Sequence, residues 1–160
     1  MLTSTSEQMM HTLEITKDEE IAAPIEIVFE TLLEHLGPHN ETPVSPLPMK
    51  LEPWPGGRWY RDLGNNTGHY WGHVQVIKPP RLLEISGPLF MSFPAISHLQ
   101  YRLTEDGTVT RLRLTHGAMG QIPRDWLEGA EKGMEPFWSH ILTRVREGAE
   151  RRKGALGGSR

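Results

Sequence analysis

Apolar residues recur at every second position over several stretches of this chain, and at every third or fourth position over two others. The first period belongs to strands with one wet face, the second to helices with one apolar stripe. Leu13, Ile15 and Ile21 predict a first strand over 13–21. Ile25, Val28, Phe29, Leu32, Leu33 and Leu36 then make a helical stripe. Pro24 suits the start of that helix, where a missing N–H loses no partner, and Gly37-Pro38 suits its end. Residues 37–48 hold four of the thirteen prolines and read as a loop.

Strand signals follow at 49–53, 58–62, 69–77, 81–86, 97–103 and 108–116, with Gly-Asn-Asn-Thr-Gly, Lys-Pro-Pro-Arg and Glu-Asp-Gly as hairpin turns between pairs. Leu99, Tyr101 and Leu103 share a face against His98, Gln100 and Arg102. Leu112, Leu114 and His116 share another against Arg111, Arg113 and Thr115. The sheet therefore has one buried and one solvated side. A long helix is expected from about 124 to 152, its stripe running through Leu127, Ala130, Met134, Phe137, Ile141 and Val145, with Trp138 and Leu142 beside it. Gly129, Gly133 and Pro136 interrupt that pattern and predict a bend near Lys132.

A one-sided antiparallel sheet must cover its apolar face, and the last helix is the one element long enough to do so. About seven strands should curl around it and leave a wedge between sheet and helix. The expected class is α+β: a loose N-terminus over 1–12, a single domain over 13–152 and a flexible tail over 153–160.

Composition narrows the function more than the fold. The 160 residues contain 37% hydrophobic and 23% charged positions, an ordinary globular balance. With no cysteine, disulfides, thiol catalysis and thiolate metal sites are excluded. No run approaches the ~20 apolar residues of a membrane span. No basic segment followed by an apolar run opens the chain, so a cytoplasmic location is expected. A formal charge of −3 argues against nucleic acid as a partner, and Arg151-Arg152-Lys153 reads as a solvated end.

Four stretches in this order resemble a known family. They are Ile21-Ala-Ala-Pro-Ile-Glu-Ile-Val-Phe29, Pro55-Gly-Gly-Arg-Trp59, Gly72-His-Val-Gln-Val-Ile-Lys-Pro-Pro-Arg-Leu-Leu83 and Thr110-Arg-Leu-Arg-Leu-Thr-His116. The chain thereby resembles the START or Bet v 1-like (SRPBCC) superfamily, in the group related to the activator of heat-shock-protein-90 ATPase. The resemblance implies a helix-grip fold over about 13–150. Where many members carry Gly-Trp in the last helix, this chain has Gly133-Met134, with aromatics displaced to Phe137 and Trp138.

If the inner face of the sheet lines the wedge, the strands nominate Trp59, Tyr70, Val74, Leu99, Tyr101, Leu112, Leu114 and His116 as ligand-binding residues. The helix adds Met134, Phe137, Trp138 and Ile141. Leu83 and Ile85 share that face. Tyr70, Tyr101 and His116 carry polar groups that need partners once buried: a ligand, a backbone carbonyl or a water. Glu52-Pro-Trp-Pro-Gly-Gly-Arg-Trp59 reads as a tight hairpin at the sheet edge, with Trp54 or Trp59 in a position to line the mouth. No metal site is expected, because His69 and His73 at i and i+4 of one strand lie ~13 Å apart, and no cofactor motif is present. The apolar segment 86–96 is expected to fold over the cavity, to pack on its own sheet or to join a second copy as a homodimer.

The expected function is binding of a small apolar or aromatic ligand. The resemblance also allows an enzyme of cyclase or hydrolase type, with His116 paired to a carboxylate such as Glu41. It allows as well a chaperone co-regulator that binds its partner through Arg102, Arg111 and Arg113.

Overall fold

The computed structural model describes residues 9–128 and 134–158. Strand β1 (His11–Ile21) leads into helix α1 (Ile25–Leu36), followed by β2 (Lys50–Leu51), β3 (Arg58–Gly64), β4 (Thr67–Lys78), β5 (Leu82–Gly87), β6 (Ala95–Asp106) and β7 (Val109–Gly120). A short helix α2 (Arg124–Glu128) precedes α3 (Met134–Gly158). The strands form one antiparallel sheet in the order β1-β7-β6-β5-β4-β3-β2. The meander runs from β2 to β7, and β1 returns to pair with β7 along its whole length, from His11↔Gly120 to Ile21↔Thr110.

Local chemistry explains the boundaries. Pro24 stands just outside α1 with extended backbone, and its carbonyl accepts the Val28 amide at 3.1 Å. Gly37 closes the helix by donating its N–H to Leu33 and Glu34. Asn65 and Asn66 both take positive φ, 53° and 57°, between Gly64 and Thr67. That backbone matches the twist of a two-residue hairpin, and asparagine tolerates it. Pro136 falls in the first turn of α3, where it blocks no existing hydrogen bond. The bend expected near Lys132 lies outside the described residues, as does the part of the expected loose N-terminus before residue 9. The strand begins at His11, inside the stretch expected to be loose. The helix runs on through residues 153–158, expected as a tail.

The main core lies between the sheet and α3, with a smaller cluster of Met91, Ala118 and Ile122 beside it. From the strands it takes Ile15, Leu83, Ile85, Leu99, Leu103 and Leu112, and from α3 it takes Trp138, Ile141, Leu142, Val145 and Ala149, all buried. Burial of each large apolar side chain contributes about 1.5–3 kcal/mol, so α3 is the principal clamp on the sheet. Helix α1 packs beside α3 at close range. A methyl on Gly148 would stand 3.1 Å from Thr31 Cγ2, and Arg152 bonds to both Thr31 and Glu34.

The outer face of the sheet is a ladder of charge pairs. Arg113 grips Asp18 at 2.8 and 3.2 Å, Arg111 meets Glu20 and Asp106, and Glu84 meets His98 at 3.0 Å. Two of the three arginines proposed for partner binding are therefore engaged within the chain. No helix among the described residues is long and apolar enough to cross a membrane.

Candidate functional site

The hollow sits at one end of the wedge rather than along its length. Its volume is about 440 Å³, within the range of small-molecule sites. Trp71, Phe90, Trp126 and Phe137 supply four aromatic walls, Met134 and Leu47 two aliphatic ones, and Thr42 and Asp125 the polar margin.

Trp71 reaches the hollow because β4 carries a bulge. Trp59 pairs with Gly72 but Tyr60 pairs with Tyr70, so Trp71 is the extra residue on its strand. Such an insertion resets the in–out alternation. Trp71 turns inward and sets its ring 5.0 Å from Trp59, while its indole N–H donates to His69 Nδ1 at 3.2 Å. Gly72 makes this possible, since a methyl there would come within 2.6 Å of the Ser86 carbonyl.

Tyr70 is thereby displaced from the inner face assigned to it by simple alternation. It is exposed on the outer side, its hydroxyl 2.9 Å from His73 Nδ1. The same bulge separates His69, half-buried, from the exposed His73. Among the described residues no group of three or more His, Asp or Glu side chains is placed to hold a metal.

Phe90 belongs to the apolar segment 86–96. Leu89 adopts a positive φ of 56°, buries its side chain completely and donates its amide to the Trp71 carbonyl at 2.8 Å. With Met91 also buried, the segment is anchored on both sides of Phe90. Phe90 then projects over the hollow, with ring centroids 5.5 Å from Trp71, 6.1 Å from Trp126 and 5.9 Å from Phe137. Through Leu89, Phe90 and Met91 the segment packs on its own chain, one of the three arrangements expected for it, while Ile96 stays exposed.

The third wall is the loop between α1 and β2. Leu47 is held by its amide on the Asn40 carbonyl, and Thr42 caps its own turn through Ser45. Glu41 ties the loop to α3, accepting from Arg144 Nε at 2.7 Å and lying 3.2 Å from His140 Nε2.

Of the twelve residues nominated from sequence, Met134 and Phe137 line the hollow. Trp59, Val74, Leu99 and Tyr101 are fully packed beneath it, as are Leu112, Leu114, His116, Trp138 and Ile141. The deep part of the wedge is filled by aromatic rings, and among the described residues its open space lies beyond Trp71 and Phe137. Neither Trp54 nor Trp59 forms the mouth: Trp54 is 55% exposed on its turn, and Trp59 is buried with its N–H on the Leu36 carbonyl at 2.7 Å.

His116 is a closed structural group. Burial pushes its imidazole down to about 4, Trp138 occupies one nitrogen at 3.1 Å and Ser97 Oγ lies 2.9 Å from the other. Glu41, its suggested partner, is committed to Arg144 and His140 instead. Tyr101 is also sealed in: its hydroxyl meets no hydrogen-bond partner among the described residues, and burial pushes its ionisation far upward.

Sequence reasoning missed Leu47, Thr42, Trp71, Trp126 and Asp125. Gly72 next to Trp71 was the available sign of a bulge; α2 falls within the helix expected from about 124, but its Asp125 and Trp126 lie off the stripe that was followed.

Several solved structures share this fold. A protein from Rhizobium leguminosarum is 15% identical, with a TM-score of 0.65, covering 87% of this chain and 97% of its own. The ZhuI aromatase/cyclase from Streptomyces sp. R1128 is 21% identical, with a TM-score of 0.64, covering 89% and 96%. The di-domain aromatase/cyclase StfQ of the steffimycin biosynthetic pathway is 11% identical, with a TM-score of 0.67, covering 89% of this chain and 52% of its own. No curated protein matches. A family model described as Activator of Hsp90 ATPase homolog 1-like protein matches residues 22–147. With that match over most of its length and a curved seven-stranded sheet closed by a C-terminal helix, the chain belongs to this family of the Bet v 1-like superfamily.

Proposed function

We propose that the protein binds a small, largely apolar ligand in the hollow between β4, the 88–93 loop, α2 and the start of α3. The observation that carries this reading is the set of four aromatic rings around about 440 Å³ of space in an otherwise tightly packed core. Filling such a space with side chains would be the cheaper way to stabilise a fold. Sites of this shape hold ligands mainly by apolar contact, with a few polar groups to orient them. The aromatase/cyclases named above share the architecture, and at their identities that likeness concerns the fold alone.

The test uses 1-naphthol, a neutral aromatic probe, titrated against the intact chain while indole fluorescence is followed. Trp71 and Trp126 both face the hollow, so saturable quenching is expected, together with a rise in Tm that grows with probe concentration. Trp126→Ala and Phe90→Ala should each weaken the probe at least about tenfold. Non-saturating quenching, or affinity unchanged in both variants, would refute the proposal.

A further inference from the structure

We infer that the protein has a second ligand site, separate from the hollow, that takes inorganic hydrogen phosphate. The site is a cleft of about 430 Å³ between the end of α1, the loop that follows it and the middle of α3. It lies against the same loop as the hollow: Asn40 and Glu41 line the cleft, whereas Thr42 lines the hollow.

The first observation is Asn40. It is 2% exposed and lines the cleft, yet neither Oδ1 nor Nδ2 of its amide meets a hydrogen-bond partner among the described residues. Its backbone is already committed, the N–H to the Gly37 carbonyl at 3.0 Å and the carbonyl to the Leu47 amide at 2.9 Å. His35, on the same cleft, has a buried ring nitrogen, Nδ1, that also lacks a partner among those residues. Buried polar atoms in folded proteins are paired as a rule, and each exception calls for an explanation. Two such side chains on the wall of one cleft point to a ligand that completes them.

The second observation is charge. Two guanidinium groups, Arg144 and Arg151, line the cleft against a single carboxylate, Glu41. That carboxylate accepts from Arg144 Nε at 2.7 Å and lies 3.2 Å from His140 Nε2. Arg144 also meets Glu147 at 3.4 Å. Arg151 stands exposed, and no described residue gives it an ion pair or hydrogen bond. An anion in the cleft therefore meets a cation that is not already spent, in the geometry guanidinium offers to oxyanions.

Asn40 narrows the choice of anion. Its Nδ2 donates and its Oδ1 accepts, so a matching ligand carries both an acceptor and a proton. Carboxylates and sulfate offer acceptors alone at neutral pH and leave Oδ1 unmet. Phosphate monoesters lose their last P–OH proton near pH ~6. Inorganic phosphate keeps at least one P–OH at neutral pH, and its other oxygens are free for Nδ2 and Arg151. A neutral amide would match Asn40 and leave the charge unanswered.

The experiment follows 1H–15N spectra of the intact chain as sodium phosphate, sodium sulfate or methyl phosphate is added at pH 7.5 and constant ionic strength. Phosphate should give saturable shifts in the Asn40 side-chain amide and in the backbone amides of 35–41 and 144–151. Its affinity should exceed that of sulfate and methyl phosphate by about tenfold, as one hydrogen bond to a charged ligand implies. Asn40→Ala should abolish that preference. Arg151→Gln, at an exposed position whose loss leaves the fold intact, should weaken all three anions several-fold and leave 1-naphthol affinity unchanged. Equal affinity for the three anions, or a phosphate preference retained in Asn40→Ala, would overturn the hydrogen phosphate assignment. Shifts that never saturate, or that fall outside the cleft, would overturn the site and leave Asn40 matched by water alone.

Discussion

Trp138 on α3 donates its indole N–H to Nδ1 of His116 on β7 at 3.1 Å, across the centre of the core. An indole can only donate, so Nδ1 is the unprotonated nitrogen, and the neutral ring carries its proton on Nε2, which donates to Ser97 Oγ at 2.9 Å. Three elements are thus joined by one imidazole that must stay uncharged. The folded protein holds His116 at about 4, whereas an unfolded chain titrates near 6.5. Between those values the unfolded state binds the additional proton, so stability is complete above pH ~6.5 and is lost as pH falls toward 4. From pH 7.5 to 5 the loss from this residue alone is about 2 kcal/mol. Urea unfolding of the wild type and of His116→Asn at both pH values should show a smaller pH dependence in the variant. Parallel slopes would remove the buried-imidazole account.

The Pro-Gly-Gly turn makes a second expectation. Gly57 has no room for a side chain: a Cβ would stand 1.9 Å from the Glu52 carbonyl oxygen. The same Glu52 carboxylate holds Arg58 at two nitrogens, 2.9 Å each, and accepts its amide at 2.8 Å. Gly57→Ala should therefore cost about 2–3 kcal/mol, as backbone clashes do. Gly117 is the control, with open space around its missing Cβ and no positive φ. Gly117→Ala should be neutral or stabilise by up to about 1 kcal/mol. Denaturant midpoints for the pair test both, and equal losses would contradict the geometry.

The bulge in β4 supplies a third. Alternation assigns Tyr70 to the interior, yet Trp71 lines the hollow and Tyr70 faces solvent. Tyr70→Ala should leave 1-naphthol affinity unchanged. Trp71→Phe, which keeps a ring but shrinks the wall and drops the bond to His69, should weaken it several-fold and remove part of the fluorescence response. The reverse ranking would place the site on the other face of the sheet.

That contrast shows how far the pattern of residues reached. Period-2 and period-3.6 patterns gave every strand, the first helix and most of the last, because each element has one face that must avoid water. The apolar stripe of α3 packs as its spacing implies: Met134, Trp138, Ile141 and Val145 are all buried. The hollow was less legible because it depends on how rings of different elements happen to fill space. Trp138 and Trp59, both expected on the inner face, fill the middle of the wedge with their rings rather than border open space. One inserted residue at Trp71 reversed a parity that counting alone carries straight through. Asp125 and Trp126 fall within the helical pattern expected from about 124 but off the apolar stripe followed through Leu127, so periodicity did not single them out.

The loop carrying Thr42 to the hollow offers the last prediction. Its neighbour Glu41 accepts from Arg144 and lies within reach of His140, both on α3, with the three side chains 30%, 44% and 21% exposed. Partly exposed pairs of this kind contribute no more than about 1 kcal/mol to stability. Their effect should fall on position instead, since the remaining ties across 40–48 are internal to the loop or run to the end of α1. Glu41→Gln should leave Tm within a few degrees, speed amide hydrogen exchange over 40–48, and weaken 1-naphthol a few-fold. Arg144→Gln should produce the same changes, and the double variant should add little to either, because both remove one interaction. Additive losses in the double variant would mean that the two residues act separately and that the loop is placed by its own turns.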